Sequence, residues 1–294
     1  MLSYVAESTT SQAFAEFKLS ITRAMADQLA EALARLEPAP LTKENVEALE
    51  ERPGVYELFL RGERVYVGKA SKSKSSKDLP GRLGDHIRKL SGRAGISLSE
   101  ISFQCLYVDE DLEAAAPETM LINKYKDRRR QTLPWNFNGF GNNDPGRNRD
   151  HSVVKSNHFD AWYPVDLDVL VSTGLEPGYY PVTKYLEAVK TALPFNLRYD
   201  SKALSPRKAD TTYLAKIPAH ETSARDLLRE AVEALPRGWQ ATVLPGYVIL
   251  YQEETSYKSA RLYWRKHDDE VVEITGLNLR DPQGEAGEEP PPNE

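Results

Sequence analysis

The chain has 294 residues, of which 40% are hydrophobic and 28% charged, with a formal net charge of −6. That length suits one large domain with additions, or two domains, and no apolar run approaches the roughly 20 residues that span a bilayer. The single cysteine, Cys105, excludes an internal disulfide framework. The N-terminus lacks the basic, apolar and small-residue order of a signal peptide, so a reducing, cytoplasmic setting is expected.

The acidic total conceals an uneven distribution. Residues 52–160 hold 19 Lys+Arg against 14 Asp+Glu, a local net of +5, while the remainder nets −11. A partner with a phosphate backbone would meet the middle segment; ordinary surface solvation is the other reading of such a patch.

In chain order, residues 1–50 form an N-terminal helical element. Leu19, Met25, Leu29 and Leu33 recur at helical spacing ahead of Pro38 and Pro40, and Thr42 caps a second short helix. A hairpin follows from Gly54 to Gly68, with Gly62 in its turn. Lys69 to Lys77 is too polar and serine-rich for regular structure. Asp78 and Pro80 open a helix that ends near Gly92, and Ile101 to Val108 form a third strand. Pro117 starts another helix, whose Leu121, Ile122 and Tyr125 face the core. Pro134 to Asp150, rich in Gly, Asn and Arg, is a loop.

From about Glu176 the character changes. A helix spans Val182–Leu193, Asp200–Asp210 reads as a linker, and residues 199–280 form a small α+β unit. It comprises Thr211–Ile217, a helix over Ala224–Leu235, and strand-like runs at Ala241–Tyr251, Ser259–Trp264 and Val271–Ile274. The last fourteen residues, with five acids and no base, read as a disordered tail over 281–294.

The chemistry concentrates between residues 54 and 150. On the Asp78 helix, Leu83, Ile87 and Leu90 form an apolar stripe. Arg82, His86 and Lys89 form a second stripe about 100° around, at the edge of the core. Arginine can fork onto phosphate oxygens and histidine can transfer a proton, although a solvated basic face has the same spacing. Gly84, inside this helix, costs ~1 kcal/mol against alanine, which suggests that something packs closely there. Glu118 lies in a first helical turn, where the dipole favours the carboxylate. That state suits Mg²⁺, and it equally suits an ordinary helix start. One cysteine and dispersed histidines offer no zinc spacing. Tyr56 and Tyr66, each beside a glycine on neighbouring strands, leave room for a substrate backbone. A phenol with its ordinary pKa of about 10 is a base only if cations such as Arg82 or Lys69 lower it.

Five motifs, Gly54-Val55-Tyr56, Tyr66-Val67-Gly68, Arg82-x3-His86, Glu118-x2-Leu-Ile-x-Lys-Tyr and Pro134-Trp-Asn136, follow in an order that resembles the GIY-YIG nuclease superfamily across residues 52–140. The YVGKA and WNFNGFGNNDPGRNRD stretches are similar to its type II restriction endonuclease branch. The resemblance implies an α+β fold in which residues 51–198 carry a three-stranded antiparallel sheet flanked by helices. It implies catalytic roles for Tyr56, Tyr66, Arg82, His86, Glu118 and Asn136, with Asn138 as the alternative asparagine. Glu118 would hold one Mg²⁺ per site. The implied activity is sequence-specific hydrolysis of double-stranded DNA at a short, GC-rich palindrome by a homodimer, protected in the host by a cognate methyltransferase. A repair or homing nuclease and a non-cutting DNA-binding module are the alternatives.

Base reading needs forked donors and amides. Asn142, Asn143, Arg147, Asn148 and Arg149 are of that type, and Lys69 can contact the backbone. Arg128 to Arg130 suit phosphate contacts or solvated charge. Which group takes the proton from water stays open at this point.

Overall fold

A computed structural model of the chain describes residues 20–71, 77–108, 117–126, 133–141, 146–204, 213–267 and 269–276. They build a mixed α+β structure around two main sheets. The acidic stretch 281–294 lies outside the described residues. Among them, no helix is long and apolar enough to cross a membrane.

Helix α1 (Ile21–Ala34) begins where the Ser20 hydroxyl accepts from the Arg23 N–H. After strand β1 (Ala39–Pro40), the Thr42 side chain caps α2 (Lys43–Glu47) by accepting from the Asn45 N–H. The hairpin follows as β2 (Gly54–Leu60) and β3 (Glu63–Ala70). Its two turn residues, Arg61 and Gly62, both have positive φ, 52° and 84°, as a turn matched to strand twist demands. Strand β3 runs into the polar stretch expected to be irregular, because Lys69 pairs with Val55 and Ala70 with Gly54. Helix α3 (Leu79–Ser91) is capped by Asp78, which accepts from the Gly81 N–H, and ends at Gly92. Strand β4 (Ile101–Tyr107) pairs antiparallel with β2.

The first sheet has the order β1-β4-β2-β3. It exceeds the expected three strands by the two residues of β1, which pair Ala39 with Phe103 and Pro40 with Ser102. A proline is tolerated at that outer edge because the edge needs no N–H donor. Strand alternation turns Tyr56, Leu58, Tyr66 and Phe103 towards Leu79, Leu83 and Leu90 of α3. Val55 and Val67 face the other way, onto Leu33 of α1 and Leu121 of α4 (Pro117–Tyr125). The N-terminal segment thus shares the core of this sheet.

The loop expected over Pro134–Asp150 contains α5 (Pro134–Phe137) and a 3-10 turn at Gly146–Arg149, and α6 (Phe159–Trp162) follows. Beyond it come β5 (Leu170–Val171), β6 (Gly178–Pro181), α7 (Val182–Ala192), β7 (Asn196–Tyr199), β8 (Leu214–Ile217), β9 (Thr222–Ser223) and α8 (Ala224–Ala234). Strands β10 (Trp239–Val243), β11 (Tyr247–Gln252), β12 (Leu262–His267) and β13 (Glu270–Thr275) complete the chain. The run expected over Ala241–Tyr251 is split into a hairpin at Pro245 and Gly246. The second sheet has the order β13-β12-β10-β11-β7, and β7 is parallel to β11. One hydrophobic core, including Val182, Leu186, Leu197, Leu228 and Trp264, spans residues 165–271. The expected boundary at 198/199 therefore runs through continuous packing.

Two glycines behave oppositely. A Cβ on Gly68 would overlap the Tyr56 phenol, which lies across it. Around Gly84 the described residues leave open space within 4 Å, so the expected close neighbour is not supplied by them. In urea unfolding, Gly84→Ala should stabilise the protein by up to about 1 kcal/mol, from helix propensity alone. Gly68→Ala should destabilise it by about 1–3 kcal/mol through overpacking. Equal effects of the two would contradict this packing.

Candidate active site

Tyr56 on β2 stands opposite Gly68 on β3, and the missing side chain is what lets the phenol lie flat across the strand. Tyr66 on β3 places its ring 6.1 Å from that of Tyr56. His86 enters from α3 with its ring 5.5 Å from each tyrosine. Its Nε2 lies 2.7 Å from the Tyr56 hydroxyl. All three side chains are buried. His86 therefore sits inside the core face, deeper than the edge position its stripe predicts.

A fourth ring completes the cluster. Phe140 stacks on His86 at 5.0 Å with 19° between the planes, and meets Tyr66 edge-on at 5.1 Å. Lys89, one helical turn beyond His86, donates to the Phe140 carbonyl and stands 4.6 Å above the Phe140 ring. Gly141 fits because a Cβ would come 2.7 Å from the Tyr66 hydroxyl. Lys89 belongs to the stripe of Arg82 and His86 expected from the sequence, whereas Phe140 is not among the site residues expected from it. The available signal was an aromatic residue between two glycines, in Gly139-Phe140-Gly141.

Arg82 and Glu118 complete the constellation electrostatically. Both are half-buried, and the charge of Arg82 acts on Tyr56, Tyr66, His86 and Glu118. Burial holds the Glu118 carboxyl above its ordinary pKa, against the pull of Arg82 and Lys69. Asn136 is bound differently: its Oδ1 accepts from the Val67 N–H at 2.9 Å and its Nδ2 donates to the Val67 carbonyl at 2.8 Å. It thereby pins α5 to the outer edge of β3. Asn138 instead accepts from the Phe140 N–H at 3.4 Å, so of the two asparagines Asn136 is the one held on the strand of Tyr66.

The tyrosines titrate opposite to the simplest expectation. Burial first, then the neighbouring Tyr66, raises Tyr56 well above an ordinary phenol, and Arg82 does not offset this. Tyr66 is raised too, again by burial. Burial, reinforced by Arg82 and Lys89, pushes His86 down to about 3. At neutral pH the pair is a neutral phenol on a neutral imidazole.

The expected reading residues divide. Arg147 and Asn148 are exposed on the 3-10 turn, whereas Arg149 turns inward and ion-pairs with the buried Asp160. Asn142, Asn143 and Arg128 to Arg130 lie outside the described residues. Among the described residues, no group of three or more His, Cys, Asp or Glu side chains could hold a metal ion. No protein-family model and no curated protein matches the chain.

A depressed histidine pKa has a stability signature. The unfolded chain takes up a proton as the pH falls through about 6.5, while folded His86 resists until about 3, so acid destabilises the fold across that window. Between pH 7 and 5 this one group should remove about 2 kcal/mol, visible as an acid-dependent loss that His86→Gln lacks. An NMR titration in which His86 protonates near pH 6.5 would refute the buried neutral state.

Proposed function

We propose that the chain is a Mg²⁺-dependent endonuclease that hydrolyses phosphodiester bonds of double-stranded DNA at a short sequence, in the manner of the type II restriction branch of the GIY-YIG superfamily. The observation that carries this reading is the 2.7 Å contact between the Tyr56 hydroxyl and His86 Nε2, within the charge field of Arg82 and Glu118. Packing alone needs no cation and no carboxylate beside two buried phenols. In-line phosphodiester hydrolysis needs a phosphate clamp, a proton acceptor and a seat for a hard cation.

Arg82 binds the non-bridging oxygens of the scissile phosphate. The added negative charge offsets Arg82, which raises the proton affinity of both Tyr56 and His86. Water attacks phosphorus and its proton passes to the Tyr56 oxygen, while the Tyr56 proton passes to His86 Nε2. The bond to the 3′ oxygen breaks, and that oxygen takes a proton from solvent. Tyr66 and Phe140 keep bulk water from His86.

The Glu118 carboxylate fits a divalent cation of the Mg²⁺ type. It is a hard oxygen donor, half-buried and single, and Mg²⁺ commonly takes one or two carboxylates alongside water and substrate phosphate. Bound there, Mg²⁺ supplies Lewis-acid stabilisation of the charge that develops on the phosphoryl and leaving oxygens. A palindromic target would call for a homodimer, and a restriction role for a cognate methyltransferase.

Glu118→Ala should lower plasmid cleavage in Mg²⁺ by roughly 10²- to 10³-fold, on the scale typical of lost electrostatic stabilisation. Duplex binding, followed by fluorescence anisotropy, should change less than about threefold. Cleavage retained by that variant would refute the metal role, and binding without cleavage by the unaltered protein would favour a non-cutting module.

A further inference from the structure

The second sheet has no part in the chemistry above, yet the segment from Arg147 to Val154 is bonded to it and to its flanking loops. Arg147 lies over the Tyr251 ring at 4.4 Å and reaches Asp200 at 3.4 Å, and its side chain remains 64% exposed. Asp150, 2% exposed, accepts from the Tyr247 hydroxyl at 2.8 Å and ion-pairs with Arg198 of β7. Further on, the Val154 N–H donates to the Ser259 hydroxyl at 2.9 Å, and that hydroxyl donates to the Ser152 carbonyl at 3.1 Å.

The same turn is tied to the first sheet's helix. Asp160 receives Arg149 on one carboxylate oxygen and Arg93, which follows α3, at 3.0 Å on the other. Arg93 also donates to the Pro245 carbonyl at 3.4 Å in the β10–β11 turn. A buried carboxylate between two arginines is a costly joint to break, since removing the carboxylate would leave both guanidinium charges without a counter-ion. Upstream, Gly141 packs on the Tyr66 hydroxyl. The six residue steps from Gly141 to Arg147 span at most about 22 Å, or roughly six base pairs of duplex.

We infer that the second sheet is the platform of a sequence-reading element: Tyr251 and Asp200 hold Arg147 for a base edge in a DNA groove, while Arg149 and Asp160 lock that element to the helix of His86. This deepens the nuclease reading and rests on it. Arg147 is the specificity-determining side chain, and Arg149 is a positioning residue, not a reader. The duplex is the partner because a stacked arginine whose side chain is 64% exposed presents a planar fork that matches the two acceptors of a guanine edge. The span of about six base pairs confines the base it reads to the neighbourhood of the cut.

The test is selection of bound duplexes from a pool with a randomised core, using the full chain with Ca²⁺ in place of Mg²⁺, followed by sequencing. The unaltered protein should enrich one motif. Arg147→Ala should lose preference at a single guanine position by roughly 5- to 150-fold and keep the others. Tyr251→Leu, which removes the ring under Arg147, and Asp200→Asn should weaken preference at that same position. An Arg147→Ala profile with every position retained, or one weakened uniformly as for a phosphate contact, overturns the assignment. Loss in Arg147→Ala without any change in the other two variants overturns the platform. Plasmid cleavage by a protein that enriches no motif overturns this inference and leaves the nuclease reading standing; neither binding nor cleavage overturns both.

Discussion

Burying a phenol and an imidazole together is what the candidate site depends on. Each polar atom taken from water without a partner costs about 1–3 kcal/mol, so Tyr56 and His86 satisfy each other at 2.7 Å. That bond constrains three elements together. Strand β2 must present Tyr56 opposite a residue without a side chain, β3 must supply Gly68 at that register, and α3 must approach closely enough for His86 to reach. The leucines of α3 secure the approach on the same face. Low polarity then sets the protonation states, since burial is the first cause of both the raised tyrosine and the depressed histidine.

Rigidity extends outward from that pair by three routes. Through Lys89 and the Phe140 carbonyl, α3 holds the ring that stacks on His86. Through Arg93 and Asp160, the end of the same helix reaches Arg149 and the second sheet. Arg88 adds a third tie by donating to the Leu193 carbonyl at 2.9 Å, just beyond α7. One helix therefore carries the proposed proton acceptor and the joints to both neighbouring structures. In the proposed function, a duplex seated on Arg147 would be tied to the helix of His86 through the Arg149–Asp160–Arg93 ion pairs.

Local punctuation made much of this legible in the sequence. Asp78 and Gly92 bound α3, Thr42 caps α2, Gly62 turns the hairpin, and Pro117 starts α4, all within a residue or two of expectation. The resemblance carried by the order of Tyr56, Tyr66, Arg82, His86 and Glu118 implied a site on one face of the sheet, and Tyr56, Tyr66 and His86 meet beside α3. What escaped depends on distance along the chain. Strand β1 is two residues long and too short for any periodicity, and β7 joins β11 in parallel across some fifty residues. Arg149 looked like a base reader because its partner, Asp160, is brought to it only by the fold. The tyrosine pKa expectation weighed cations that sequence reveals and not the desolvation that only packing reveals.

Hydrolysis of DNA is the central claim, and the most direct measurement is incubation of the full chain with supercoiled plasmid and Mg²⁺, followed by run-off sequencing of any ends. Supercoiled plasmid should yield discrete linear fragments whose ends share one short motif, with no product when Mg²⁺ is chelated. Plasmid that stays intact across protein concentrations with Mg²⁺ present would contradict it.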